Sequence, residues 1–399
     1  MTSPPIADGC VEIDGPCIVS VGRTDRKQGG TGVSPASSSP RLLDLGQAIL
    51  TPGLVNPHTH LELTAYARQL EPAPFWKWIG RLVELRRQPG RVEREQQGVH
   101  DGAWQSLRAG VTCVGDISRE NLAWPILKKV PIRKVCYAEL LTLADQPPRN
   151  PDELRAAVEG IEEDELLTAG LSPHAPYTLP EEQFRAAIAL AGRLGRPWCT
   201  HWAETPEEVA FLRGDTAALP RVVQMLLAQC GVRSPELTPV EYLERCAAGQ
   251  PAGALAHMNY VMDAEIPRLA AAGHVVMYCP RAHRFFDHAP HPFVRMLAAG
   301  IPVALGTDSL ASNQSLSLLE ELKFVHENVA DAPSPETLLR MATLDAARAL
   351  RLEHQIGSLE PGKQADLAAF PCPPGCGDPI TVLVKSAPAP LCVWVAGRR

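Results

Sequence analysis

The sequence predicts an α/β protein built on a (β/α)8 TIM-like barrel, with a small β-domain made from both chain ends. Short β-branched apolar runs alternate with helical apolar spacing through the middle of the chain, which is the pattern of consecutive βα units. Brief apolar runs separated by turn residues occupy the two ends, and they favour short paired strands. We therefore expect the barrel over 51–354 and a composite β-sandwich from 1–50 and 355–399.

The barrel prediction rests on eight cycles of strand and helix. The strands are expected within 54–60, 111–116, 134–140, 171–174, 197–201, 254–260, 274–279 and 301–306. The helices are expected at 75–87, 92–109, 122–129, 151–163, 182–194, 239–246, 264–272 and 292–299. At the chain ends, strands are expected at 11–13, 17–21, 41–45, 367–370, 381–384 and 392–395. The low-complexity stretch 29–40 favours a mobile loop.

Composition and charge narrow the class of partner. Hydrophobic residues make up 45% and charged residues 21% of the 399 residues, as in a soluble globular protein with a sizeable core. The formal charge of -7 is spread along the chain, so we expect neither nucleic acid nor a membrane as partner and favour a small neutral or cationic substrate. The sequence is compatible with a homo-oligomer.

Cysteine use and the first residues predict a cytoplasmic location. The eleven cysteines are odd in number and scattered, which favours reduced thiols over a disulfide framework. The first residues lack a basic region followed by an apolar stretch, so no secretory signal is expected.

Two histidines, His58 and His60, close the first apolar run of the barrel region. Side-chain alternation directs both rings to the same side, with Thr59 facing away. Alone, such a pair is also compatible with packing. Because the carboxyl ends of barrel strands gather around one mouth, His201 and Asp308, which follow other apolar runs, are expected to join them. Three imidazoles and one carboxylate suit a catalytic zinc or iron ion with an open position for water.

The remaining polar residues near these strand ends are candidates for proton transfer and substrate binding. Glu204 lies just beyond His201, and burial would raise its pKa enough for a proton shuttle. The alternative is a surface glutamate, which we prefer for Glu207 and Glu208. His257 ends another apolar run and is placed to polarise the water, and Asp308 to take its proton.

The pocket itself is less clear from the sequence. Glu62 and the segment that contains Arg281 and His283 are placed to face a polar substrate. The aromatic residues of 75–78 would form either a lid over a flat ring or part of the core. The other histidines are interpreted as ordinary surface or helix residues: His288, His291, His326 and His354.

Six motifs in order resemble the amidohydrolase superfamily, and more narrowly its branch of chlorohydrolases and nucleobase or nucleoside deaminases. They lie at 52–60, 172–178, 201–204, 255–257, 279–281 and 306–309. The stretch 356–367 is similar to the segment by which that family returns to its composite β-domain.

The resemblance implies roles for these residues. His58, His60, His201 and Asp308 would bind one divalent metal ion, with zinc expected and iron or manganese as alternatives. Glu204 would be the proton shuttle, His257 would lie beside the hydrolytic water, and His174 would contact substrate. Members with two metals bridge them with a modified lysine, and no lysine lies at a matching strand end here, which favours a single metal.

The implied activity is hydrolytic deamination of a purine-like or other amino-substituted heterocycle. Chloride release from a ring and hydrolysis of a cyclic amide remain alternatives on the same site, and a non-catalytic barrel scaffold is the contrasting class. Similar deaminases, including those acting on aminofutalosine, often have Cys-Pro-Arg-Ser followed by asparagine. This chain has Ala282 and His283 there instead.

Overall fold

The computed structural model describes residues 4–23, 42–142 and 151–399, so the predicted loop at 29–40 lies outside the described residues. In chain order the strands of this part are β1 (Gly9–Asp14), β2 (Cys17–Arg23), β3 (Ala48–Pro52), β4 (Leu54–Thr59), β5 (Val111–Ser118), β6 (Arg133–Leu140), β7 (Leu167–Pro173), β8 (Cys199–Trp202), β9 (Ala254–His257), β10 (Val275–Tyr278), β11 (Val303–Leu305), β12 (Leu367–Pro371) and β13 (Cys392–Trp394).

Strands β4 to β11 form the predicted parallel barrel. Strands β4 to β7 pair in order as one sheet, and β8 to β11 pair in order as a second. Parallel bridges between Leu171 and Trp198 and between Thr59 and Asp308 join the two sheets at both edges. The expectation of a (β/α)8 barrel is therefore confirmed.

Side chains alternate between the barrel interior and the helical layer. Val55, Ala254 and Ala256 belong to an interior cluster, whereas the intervening Leu54 and Leu255 pack in the larger cluster that includes the helices. This alternation follows from the period of two in a β-strand. It explains why the barrel strands read as continuous apolar runs, since both faces are buried.

Fifteen α-helices lie in the described ranges, and most predicted helices are present with slightly different ends. They are α1 (Phe75–Arg86), α2 (Arg91–Arg108), α3 (Trp124–Leu127), α4 (Pro151–Glu159), α5 (Glu181–Leu194), α6 (Pro206–Leu212), α7 (Arg221–Gln229), α8 (Pro239–Ala247), α9 (Ile266–Ala272), α10 (Pro280–Phe285), α11 (Phe293–Ala298), α12 (Leu318–Asn328), α13 (Pro335–Met341), α14 (Leu344–Ala349) and α15 (Pro379–Ser386). In these ranges none combines the length and apolarity that a membrane-spanning helix needs.

Two predicted strands at the chain ends are wrong. Residues 381–384 lie in α15, because Asp378 accepts a hydrogen bond from the amide of Thr381 and Pro379 occupies the first helical turn. An aspartate cap followed by proline starts a helix even when β-branched residues come next. Residues 42–45 are not in a strand either, and the strand begins at Ala48.

Strands from the two chain ends pair with each other beside the barrel. β12 lies between β3 and β13 in an antiparallel sheet, and a bridge joins Cys17 of the β1–β2 hairpin to Gln364. The Arg133 guanidinium at the amino end of β6 binds both carboxylate oxygens of Asp366, at 2.8 and 3.1 Å. The division of the chain at residues 50 and 355 stays a prediction.

Candidate active site

A β-bulge in β4 directs its histidines to the barrel mouth. Asn56 pairs with Val114 and Thr59 pairs with Asp116, so three steps along β4 match two along β5. Such a bulge changes which face the following side chains occupy. The Thr59 hydroxyl lies within hydrogen-bond distance of the Asp116 carboxylate, at 3.0 Å. His58 and His60, the residues before and after Thr59, face the side of the strand opposite to Thr59, as side-chain alternation predicts.

The four predicted ligands converge on one point. The Nε2 atoms of His60 and His201 lie 3.1 Å apart, and the Nε2 atoms of His58 and His60 each lie 3.9 Å from Oδ1 of Asp308. His58 is fully buried, and neither of its ring nitrogens has a hydrogen-bond partner in the described part of the chain. A buried imidazole without partners is costly unless a ligand satisfies it.

The chemistry of these donors fits a divalent metal ion. The Nδ1 atom of His201 donates to the carbonyl of His174 at 3.0 Å, which leaves Nε2 with its lone pair facing the site. The Ser312 hydroxyl donates to Oδ2 of Asp308 at 2.9 Å and leaves Oδ1 facing the histidines. Two nitrogens bound to one zinc at about 2.1 Å lie roughly 3 to 3.5 Å apart, close to the separation of His60 and His201.

Burial keeps these histidines neutral, as metal ligation requires. Burial, with a smaller contribution from His174, lowers the pKa of His201 to about 3. Burial also lowers the pKa values of His58 and His60 well below the ordinary histidine value.

Left-handed backbone conformations hold several mouth residues. Ala203, His257 and Asp308 have φ values of 50°, 72° and 58° although none is glycine. Each follows or ends a barrel strand. Residues in this region cost about 1 to 3 kcal/mol of strain and concentrate at functional sites. The strain turns the chain sharply at the strand end.

Glu204 lies deep in the mouth beside His257. Its Oε1 atom is 3.5 Å from Nε2 of His257. Burial, reinforced by the Asp308 carboxylate, raises the pKa of Glu204 well above the usual value. Burial and the nearby His201 lower the pKa of His257 well below its usual value. Burial therefore favours the uncharged form of both side chains.

Glu208 was wrongly interpreted as a surface residue. It is fully buried, and its two carboxylate oxygens accept the amide hydrogens of Ala203 and Glu204 at 2.7 and 2.9 Å. The amide of Glu208 in turn donates to the hydroxyl of the helix cap Thr205. The spacing of Thr205 and Glu208 is that of a capping box, and this was the sequence signal that could have identified it.

The predicted substrate-binding residues differ in how many hydrogen bonds and ion pairs they form with other residues of the protein. Glu62 accepts hydrogen bonds from the Arg86 guanidinium at 2.7 Å, the Ser118 hydroxyl at 3.1 Å and the amide of Arg119 at 3.2 Å. The Arg281 guanidinium lies 3.9 Å from the buried Glu321 carboxylate. His283 keeps its Nε2 atom buried without a partner in the described part of the chain. Their contacts with substrate stay predictions.

His174 and Glu139 extend the site away from the ligand cluster. The rings of His174 and His201 are 4.7 Å apart, and Nε2 of His174 lies 4.0 Å from Oε1 of Glu139. The amide of His174 donates to the carbonyl of Leu140, which fixes it beside the end of β6. The sequence reasoning missed Glu139. Its position at the end of a barrel strand was the available signal, and no motif drew attention to it.

The family assignment follows from comparison of the chain with known proteins. Residues 49–399 match the model described as the amidohydrolase family. The chain belongs to the amidohydrolase family. The resemblance seen in the sequence motifs is therefore confirmed.

Individual relatives of this amidohydrolase indicate the chemistry. It is 32% identical over 315 residues to an aminodeoxyfutalosine deaminase of Deinococcus radiodurans, and the alignment covers 75% of this chain and 73% of that protein. An adenosine deaminase structure from Xanthomonas campestris with bound zinc is 26% identical, with a TM-score of 0.79. The superposition covers 98% of this chain and 88% of the Xanthomonas chain. A mutant atrazine chlorohydrolase from Arthrobacter aurescens TC1, complexed with zinc and atraton, has a TM-score of 0.78 and 25% identity, with coverages of 98% and 90%. The protein is a hydrolase that acts on carbon–nitrogen bonds.

Two histidines of the amidohydrolase lie closer to the site than the sequence suggested. The Nε2 atom of His291 is 2.7 Å from the carbonyl oxygen of His257, and its ring stacks on Tyr278 at 4.1 Å. Nδ1 of His288 lies 3.0 Å from the hydroxyl of Tyr260. Both side chains are partly exposed, and the loop after α10 that contains them folds back on the end of β9.

The aromatic turn at 75–78 connects loops around the amidohydrolase mouth. The ring of Trp76 packs 5.3 Å from Tyr177, in the segment after β7, and the ring of Trp78 packs 5.1 Å from Phe286, after α10. The indole of Trp78 also donates to the carbonyl of Ala311. The first turn of α1 therefore holds together segments that follow β7, β10 and β11.

Proposed function

We propose that this amidohydrolase deaminates an adenine-type nucleoside with one divalent metal ion, zinc being the first choice. The observation that carries the proposal is the convergence of His58, His60, His201 and Asp308 beside the buried Glu204. Zinc in two similar structures supports the choice of metal. The deaminase relative supports the choice of leaving group.

Each of these residues has a distinct task in the proposed reaction. His58, His60, His201 and Asp308 would hold the metal, which when bound would supply a water acidic enough to react near neutral pH. The Asp308 carboxylate faces the same point and would accept the proton of that water. His257, through Nε2, would orient the water toward the ring carbon that bears the amino group.

Glu204 would complete the proton chemistry. Its carboxylic acid donates a proton to the ring nitrogen beside the reacting carbon, while the water oxygen bonds to that carbon. The proton taken by Asp308 then passes to the amino group, the carbon–nitrogen bond breaks and ammonia leaves. The hydroxyl on the ring carbon then gives its remaining proton to the Glu204 carboxylate, which restores the acid, and the ring carbon becomes a carbonyl. Burial raises the pKa of Glu204 well above the usual value, which favours the acid form that would donate this proton.

Chloride release from a triazine is the runner-up activity. The same water and the same acid would displace chloride instead of ammonia. The similarity to the atrazine chlorohydrolase supports chloride release as the second candidate activity. Hydrolysis of a cyclic amide needs the same groups. The deaminase relative places ammonia release first.

The test is an ammonia-release screen with metal content measured on the same preparation. The substrates are adenosine, 5′-deoxyadenosine, aminofutalosine, guanine, cytosine and melamine-type rings, with a chlorinated triazine assayed for chloride. We expect ammonia from an adenine nucleoside. Glu204→Gln should retain the metal and lose about 10²- to 10⁴-fold in kcat, the usual contribution of a general acid.

Three results would contradict the proposal in different ways. Ammonia release that survives Glu204→Gln unchanged would remove the assigned acid. Chloride release without ammonia from any amine would favour the runner-up. A protein that holds no metal and hydrolyses nothing after zinc, iron or manganese is supplied would be a scaffold.

A further inference from the structure

Two cysteines, Cys372 and Cys376, place their sulfur atoms in contact in the loop between β12 and α15. Both are free thiols in this structure, and their Sγ atoms lie 2.8 Å apart. Two sulfur atoms at this separation need little movement to reach the roughly 2.05 Å of a disulfide bond. The loop therefore holds a pair of thiols close to the arrangement of its oxidised form.

The backbone of the loop brings the two sulfur atoms together. The amide of Cys372 donates to the carbonyl of Gln47 at 3.1 Å, which continues the pairing of β12 with β3. The amide of Cys376 donates to the carbonyl of Pro373 at 3.1 Å and closes a tight turn in which Gly375 has a φ of 68°. Proline followed by glycine at the two central positions is typical of such a turn. The approach of the thiols is therefore encoded by the five residues 372–376.

The two thiols are within reach of small molecules in solution. Both cysteines are half-buried, and the residues between them, 373–375, are exposed. Other cysteines lie in the core, where a reagent reaches them only if the barrel opens: Cys113, Cys136, Cys199, Cys246 and Cys279. Thiol exchange depends on access as well as on the thiolate, so the loop is favoured over these positions.

We propose that Cys372 and Cys376 form a reversible disulfide, which makes this loop a site of oxidation by small disulfides of the glutathione type. The thiolate of one cysteine attacks the external disulfide, forms a mixed disulfide and releases one small thiol. The other cysteine then attacks the protein sulfur of the mixed disulfide, so that the Cys372–Cys376 bond forms and the second small thiol leaves. The protein loses two hydrogen atoms, and the external disulfide gains them as two thiols.

The order of the two attacks follows from the contact between the thiols. The hydrogen bond to Cys376 raises the pKa of the Cys372 thiol. A raised pKa disfavours the thiolate, which is the attacking species. We therefore assign the first attack to Cys376 and the closing step to Cys372.

The position of the loop determines what the bond would affect. Strand β12, which leads into the loop, packs at the amino end of the barrel, where a Cβ added to Gly110 just before β5 would lie 2.7 Å from Phe370. After the loop, Asp378 caps α15. The loop is thus on the side of the barrel opposite the mouth. Because a cross-link restricts the unfolded chain, we expect the bond to raise stability and leave hydrolysis unchanged.

The experiment treats the folded full-length protein with glutathione disulfide, blocks the remaining thiols with iodoacetamide and digests the product with trypsin. Cleavage after Lys363 and Lys385 gives the peptide 364–385, which contains Cys372 and Cys376 and no other cysteine. We expect this peptide to escape alkylation and to weigh about 2 Da less than its dithiol form. Dithiothreitol should restore both thiols.

Two variants test the pairing. Cys376→Ser leaves Cys372 without a partner, so its peptide should carry at most a mixed disulfide with glutathione. Cys392→Ser is the matched control, because Cys392 is a half-buried cysteine on the adjacent strand β13, and this variant should form the bond as the wild type does. The oxidised wild-type protein should melt about 2 to 4 °C above its reduced form, and Cys376→Ser should show no such shift.

The possible contrary results are distinct. Alkylation of both cysteines after the treatment, glutathione bound to each of them, or a bond from either one to a third cysteine would contradict the pairing. An unchanged melting temperature in the linked protein would contradict the restraint. Slower hydrolysis by the oxidised wild type, with treated Cys376→Ser unchanged, would contradict the position away from the mouth. The peptide mass and the melting temperature need no activity, so they test this inference independently of the proposed function.

Discussion

The two ends of the barrel differ in whether their buried polar groups have hydrogen-bond partners. At the amino end, Arg133 and Asp366 form a bidentate pair, and Asp366 also accepts the amide of Ala396. At the carboxyl end, both ring nitrogens of the buried His58 lack hydrogen-bond partners within the described ranges.

This difference separates groups whose contacts stabilise the fold from groups that retain the capacity to bind a ligand. A satisfied buried pair gains nothing further from a ligand, whereas an unsatisfied buried group gains the full hydrogen bond or coordinate bond that the protein withholds. Both ends are buried, so burial alone would not distinguish them. The mouth is the end at which barrel enzymes bind substrate.

The largest expected effect comes from removing a proposed metal ligand at the mouth. His201→Asn should lose the bound metal and at least about 10³-fold in activity, because both the activated water and the ligand geometry depend on it. Metal analysis and ammonia release on one preparation check this. His274→Asn is the matched control, since His274 is also buried but accepts the amide of Gly253 near the start of β10. Equal metal loss in both variants would contradict the ligand assignment.

The next largest effect is on stability at the amino end. Arg133→Met leaves the buried Asp366 carboxylate without its cation and should lower the free energy of unfolding by about 3 to 5 kcal/mol. Urea unfolding measures this, and kcat of the folded variant should match the wild type. As a control, Glu163→Gln breaks the half-exposed pair with Arg196 and should cost about 0 to 1 kcal/mol. A fall in kcat for folded Arg133→Met would contradict the expectation that the amino end contributes only to stability.

The smallest expected effect concerns Glu208, which both stabilises the fold and positions Glu204. Glu208 holds the amides of Ala203 and Glu204. Glu208→Ala should lower the free energy of unfolding by about 1 to 3 kcal/mol, the cost of unpaired buried donors. It should also lower kcat roughly tenfold or more through displacement of Glu204, with little change in KM. Glu208→Gln keeps one good acceptor and should recover part of kcat. A loss of stability with kcat unchanged in both variants would make Glu208 purely structural.

The residues that the sequence identified share one property, which is their place at the end of an apolar run. His58, His60, His201, His257 and Asp308 each stand there, and parallel strands must bring such ends together. Glu139 stands there as well but was overlooked, because a single glutamate without a motif resembles any surface carboxylate.

Two other features of the structure differ from the sequence predictions, one through a contact between distant segments and one through a local helix cap. His291 reaches the carbonyl of His257 only because the loop after α10 folds back. Helix α15 formed where β-branched residues favoured a strand, since the Asp378 cap and Pro379 outweighed their preference.

The sequence by itself determined the barrel and the strand-end positions of the predicted ligands and of Glu204, because strand periodicity and strand-end position are local properties of the chain. Only the tertiary structure decided which polar groups are satisfied. The bulge that directs His58 inward depends on pairing between β4 and β5, and the hydrogen bond that Glu62 accepts depends on Arg86 in another element. Hydrogen-bond partners are set by distances in space, and a linear pattern of residues does not contain them.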